Sequence, residues 1–210
     1  MKTMKLQNSK ESKQTSRRAG FSAFTTAEIV MMSMLAAANG VLTMYISPVN
    51  QLLNGLGGPI ATSTITGIYM LYGMIACYLI RKPGTAVITF GIGAVVQSFM
   101  GSAYGMAAAF AAAACYMVVA EAVFAAFRYR KWGAVQMMLA GGALVPIWFF
   151  FAARMFGYVK WGGDILAIAL IVRIVSGVVL CGLLAKLIGD ALVKSGLLRR
   201  FAAARQGVER

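Results

Sequence analysis

Ser63, Thr64, Thr66, Tyr69, Gln97, Ser98, Tyr104, Trp148 and Arg154 place hydroxyl, amide, aromatic and cationic groups in stretches that are otherwise apolar. Such side chains suit binding better than bond-breaking. Gln97 offers a donor and an acceptor to the edge of a heterocycle. Tyr69, Tyr104 and Trp148 offer flat apolar walls, and Arg154 would attract an anionic group or repel a cation. Converging from several helices, they would form a small-molecule pocket with apolar walls and a few orienting hydrogen bonds. Catalysis lacks its parts. The chain has no histidine and only six acidic residues, so neither a Ser/His/Asp set nor a metal-binding carboxylate cluster can be assembled. No phosphate-loop sequence occurs, and the stretches GLGG, GIG and GG fall at helix ends or inside helices. Cys77, Cys115 and Cys181 are isolated, with no CxxC spacing, and read as packing residues. No enzyme activity, cofactor or metal is expected.

The medium decides what positions these groups. Of the 210 residues, 60% are hydrophobic and 12% charged, with a mean hydropathy of +0.76. Soluble domains carry about 25% charged residues, so this is a membrane composition. Crossing a hydrocarbon core of about 30 Å takes about 20 apolar residues. Six segments qualify or come close: about 26–46, 62–80, 85–101, 105–127, 133–153 and 164–188. The largely polar stretch before the first run argues against a cleavable signal peptide. The expected fold is all-α, an integral membrane bundle of six helices at 26–189 with basic tails at 1–25 and 190–210.

The net charge of +14 is sided. Lys2, Lys5, Lys10, Lys13, Arg17 and Arg18 precede the first helix, Arg81 and Lys82 sit in the second turn, and Arg128, Arg130 and Lys131 in the fourth. Six more lie between Lys186 and Arg210. Together these are 17 of the 20 Lys and Arg, all on one side of a six-helix path, which makes that side and both termini cytoplasmic. Basic tails of this kind face anionic lipid, not nucleic acid. The chain is expected in the plasma membrane. The uncharged stretch SPVNQLLNGLGGPIAT, 47–62, then becomes an outside loop able to fold back as a lid. Tyr158 and Trp161 become interfacial anchors, and Pro146 a kink opening space beside WFFF. Glu28 suits the N-terminus of the first helix. Glu121 and Arg173 lie inside the membrane at depths differing by roughly 13 Å. They could pair across that gap, or Glu121 could reach Arg128 or Arg130; a structural role fits both better than a proton relay. Ser33, Ala36, Ala37 and Gly40 form a small-residue strip suited to close helix approach, within the bundle or against a partner. The Ala-rich AAAFAAAAC run forms another.

In this order and spacing, EIVMMSM, GGPIAT, IRKPGTAVIT, AEAVFAAFRYRKW, MLAGG and IVRIVSGVVLCGLLAKLIGDAL resemble the S components of energy-coupling factor (ECF) transporters, over about residues 27–200. The thiamine/hydroxymethylpyrimidine type is the nearest in pattern. The resemblance implies a substrate-capture subunit that takes a vitamin or precursor from outside and works with a transmembrane coupling (T) protein and two ATP-binding subunits. It also implies that Ser33, Ala36, Ala37 and Gly40 contact the coupling protein. Family members that bind cationic thiamine place carboxylates in the pocket region. Here IATSTITGIY, ITFGIGAVVQSFMGSAYG and ALVPIWFFFAARMFGY hold none, and Arg154 is added, so a neutral or weakly anionic aromatic solute is expected. Two other classes stay open: a membrane scaffold or assembly subunit using the Ala-rich faces, and a stand-alone carrier. The absence of a titratable relay and of a clear inverted repeat disfavours the carrier.

Overall fold

The computed structural model describes residues 24–100, 105–196 and 201, and every regular element among them is helical. Six helices follow in order: α1 Thr26–Ser63, α2 Thr66–Ile80, α3 Thr85–Met100, α4 Met106–Ala126, α5 Ala134–Met155 and α6 Gly163–Lys194. A 3-10 turn, Tyr158–Trp161, joins the last two. The number matches the apolar runs, but the lengths do not. Among the described residues, only α1, α4, α5 and α6 are long and apolar enough to cross a membrane. The short α2 is the central helix, with Tyr72 to Ile80 all buried. Protein rather than lipid surrounds it, so its 3-10 first turn, Thr66–Met70, exposes no backbone to hydrocarbon.

α1 corrects the expected outside loop. A capping box starts it: the Thr25 hydroxyl accepts from the Glu28 N–H, and Glu28 accepts from the Thr25 N–H at 2.8 Å. The helix then runs through 47–62, taking Pro48 inside it, and breaks only at Gly58 (φ 57°, ψ −144°). Glycine reaches that conformation without a side-chain clash. The Trp161 ring lies 3.0 Å from where a Cβ at Gly58 would sit, so the break is covered rather than open.

The Arg81-Lys82-Pro83-Gly84 turn ties the other end together. Arg81 adopts the left-handed conformation and its N–H closes α2 on the Cys77 carbonyl. Lys82 pairs with Glu28 of α1 at 2.8 Å. The Arg81 guanidinium lies over Tyr78 at 4.8 Å and over Trp132, beyond α4, at 5.5 Å. Tyr78 and Lys186 both donate to Asp190 of α6. Glu121 of α4 accepts from the Ala86 N–H at 3.0 Å, an otherwise spare donor in the first turn of α3, and from the Tyr129 hydroxyl. Burial, and then that carboxylate, push the Tyr129 hydroxyl well above its usual range, so it remains the donor. Glu121 therefore ties helix ends together instead of meeting Arg173.

α5 and α6 pack backbone to backbone. A Cβ on Gly141 would fall 2.4 Å from the Gly177 carbonyl oxygen, and one on Gly182 2.5 Å from that of Met137. The contact runs along a π-helical segment of α6, Gly177–Leu183. α6 continues to Lys194, beyond the expected 189, and Phe201 packs against the group formed by Met32, Ala76 and Ile80.

Candidate functional site

A cavity of about 100 Å³ opens at the end of the bundle away from the Arg81-Gly84 turn, and all six helices line it. At about 10–15 Å³ for one water, it has room for several waters or one small heterocycle, not for a peptide. α4 makes one wall smooth with Ala108, Ala109, Ala112 and Ala113. The small side chains of the Ala-rich run are what leave the space. Further along α4, Tyr116 begins a chain of rings round the cavity: Tyr116 to Trp148 at 6.4 Å, Trp148 to Phe156 at 6.5 Å and Phe156 to Tyr158 at 5.9 Å between centroids. Polar groups enter from several sides: Thr43 and Asn50 of α1, Thr66, Tyr69 and Tyr72 of α2, Gln97 of α3 and Arg173 of α6. Arg173 is 5% exposed, and its guanidinium lies 5.0 Å from the Phe149 ring centre, a distance for cation–π attraction. Among the described residues, no Asp or Glu lines the cavity.

The expected pocket residues divide. Tyr69, Gln97 and Trp148 meet here. Ser63 and Thr64 do not, because their hydroxyls donate to the carbonyls of Pro59 and Ala61 at the end of α1. Arg154 is exposed on a separate groove between α5 and α6. Tyr104 lies outside the described residues, as do the cations of the tails other than Lys194. Arg173, expected as a structural charge, and Tyr158, expected as a surface anchor, both line the cavity. The contribution of α1 carries a signal that the loop reading hid. Asn39, Thr43, Ser47 and Asn50, all buried, fall on one face at helical spacing.

The strip on α1 is likewise divided. Ala36 is buried in the bundle, and Gly40 packs on α3, where a Cβ would come 2.7 Å from Val96 Cγ1. Ser33 is half-buried, its hydroxyl donating to the Ile29 carbonyl at 3.0 Å, and Ala37 is exposed beside Met34 and Val41.

Residues 27–147 match the family described as the permease component of an ABC-type cobalt transport system. A candidate HMP/thiamine permease protein of Bacillus subtilis (strain 168), YkoE, is 33% identical over 188 residues, covering 85% of this chain and 89% of that protein. A crystal structure of an S-component of an ECF transporter aligns with a TM-score of 0.84 at 32% identity, covering 89% of this chain and 94% of that one.

Proposed function

The chain belongs to the S components of ECF transporters, which are membrane transport subunits and not enzymes, and we propose that it captures a small uncharged or weakly anionic aromatic heterocycle of the hydroxymethylpyrimidine kind. The observation carrying this reading is a cavity with aromatic walls, a glutamine and a buried arginine, and no carboxylate among its lining residues. The B. subtilis relative is named for both HMP and thiamine. Thiamine carries a fixed positive charge, and burying a cation without a countercharge costs several kcal/mol; HMP carries no such charge. The cobalt of the family description has no ligand set to meet it: the chain lacks histidine, and no three His, Cys, Asp or Glu converge among the described residues.

In this reading the rings of Tyr116 and Trp148, set edge to face, give the heterocycle an apolar wall, Gln97 reads its edge, and Arg173 donates to an acceptor. Both basic tails, 1–25 and 190–210, lie on the cytoplasmic face of the plasma membrane, and the cavity opens outward. A transmembrane coupling protein and two ATP-binding subunits complete the importer. The coupling protein meets α1 at Ser33 and Ala37, while Ala36 and Gly40 hold α1 against α3 so that this face is presented. Titration calorimetry on the purified protein tests the ligand. Hydroxymethylpyrimidine binding more tightly than thiamine is expected, and at about 100 times its Kd it should stabilise the fold by roughly 2.7 kcal/mol. Thiamine binding the more tightly would refute the charge argument.

A further inference from the structure

Arg154 lines a groove of about 270 Å³ on the outside of the bundle, between the end of α5 and the start of α6. Phe149 and Ala153 form its floor, and Phe150, Val159, Ala167 and Leu170 its flanks. Both flanking helices have membrane-crossing length, 22 and 32 residues, so their outer faces meet acyl chains. An exposed guanidinium in such a place must reach the headgroup layer or find an anion. The described carboxylates do not supply one. Glu28 is held by Lys82, Glu121 by Ala86 and Tyr129, and Asp190 by Tyr78 and Lys186. Asp164, exposed in the first turn of α6, forms no ion pair with Arg154. Lys160 adds a second exposed cation in the 3-10 turn, beside the half-exposed Trp161, a residue type that settles at headgroup level.

We propose that this groove holds one anionic phospholipid in the leaflet on the cavity side, its acyl chain against Phe150, Val159 and Leu170 and its phosphate on Arg154. An apolar trough ending in a guanidinium matches that ligand in both parts, because guanidinium pairs with phosphate oxygens in a bidentate fork. The Phe149 ring is common to both sites: it floors the groove and carries the Arg173 guanidinium over it. Bound lipid thus backs the ring against which the arginine of the cavity is seated.

Native mass spectrometry tests this on protein released from nanodiscs of equal phosphatidylglycerol and phosphatidylcholine with identical acyl chains. One phosphatidylglycerol should stay bound in several-fold excess over phosphatidylcholine. Arg154→Gln should bring the two to parity, while Lys131→Gln, exposed in the α4–α5 turn, should leave the preference intact. Ala167→Phe, at an exposed position, should fill the trough and remove the retained lipid. Equal retention of both lipids by the unaltered chain, or a preference that survives Arg154→Gln, overturns the assignment. A dimer of the chain that Ala167→Phe dissolves would also overturn it and make the groove an interface between copies.

Discussion

The Arg173 guanidinium lies 5.0 Å from the Phe149 ring centre and lines the cavity, where in the proposed reading it donates to the ligand. A hydrogen bond to a charged group contributes about 1.5–3 kcal/mol. Arg173→Gln should therefore weaken hydroxymethylpyrimidine binding about tenfold or more, since 1.4 kcal/mol is a factor of ten. The same change should narrow or reverse the disadvantage of thiamine, because it removes a positive charge from the cavity. Calorimetry with both ligands reads the two shifts together, and an equal loss for both would mark Arg173 as merely structural. Gln97→Leu should weaken the pyrimidine while leaving the thermal stability of the unliganded protein nearly unchanged, since Gln97 is partly exposed to the cavity. The arginines also show where reading along the chain loses the site. Trp148 and Ala152, four apart, both face the cavity, and Arg154 is two residues further on. At about 100° per residue it points the other way. Spacing within α5 held that information, but which face of α5 turns inward is set by its packing on α6, which one sequence does not display.

Between elements, the closest contact is the glycine seam of α5 and α6. At Gly141 a methyl group would meet the backbone at Gly177 and Gly182, and backbone cannot rotate away as a side chain can. Gly141→Ala should destabilise the protein by about 1–3 kcal/mol, the range for overpacking, and lower its melting temperature in detergent. Gly55→Ala is the matched control: it lies inside α1 with nothing within 4 Å of a new Cβ. Alanine there should be neutral or stabilising, because glycine is about 1 kcal/mol worse than alanine within a helix. The four long helices were legible because hydrocarbon demands long uncharged runs, and the shorter α2 and α3 because the bundle around them is equally apolar. The stretch 47–62 was not. Its Pro, Asn and Gly are loop formers by local preference, yet Ser47 and Asn50 are buried in the bundle, and that tertiary contact keeps the segment helical until Gly58. Losing one donor at Pro48 is a smaller penalty than exposing a loop would be.

At the scale of the whole molecule, one ion pair and one helix length define its two ends. Lys82 is bound to Glu28 in the first turn of α1, and Asn54 lies 26 residues further along the same helix, before its break at Gly58. At 1.5 Å per residue the two ends stand about 39 Å apart, more than a hydrocarbon core of about 30 Å. In the proposed topology, positions 54 and 83 face opposite sides of the membrane, with the cavity residue Asn50 one turn from Asn54. In the orientation proposed from the distribution of 17 of 20 cations, the Lys82 end is the cytoplasmic one. Asn54 and Pro83 are both exposed, whereas Gly84 has φ 87° and would resist a side chain. Cys77 and Cys181 are buried and Cys115 half-buried, so a version with all three replaced is the background for labelling. In intact cells, Asn54→Cys should react with a membrane-impermeant maleimide, and Pro83→Cys should react only after permeabilisation. The reverse pattern would turn the cavity inward, and a subunit so oriented could not capture a solute from outside.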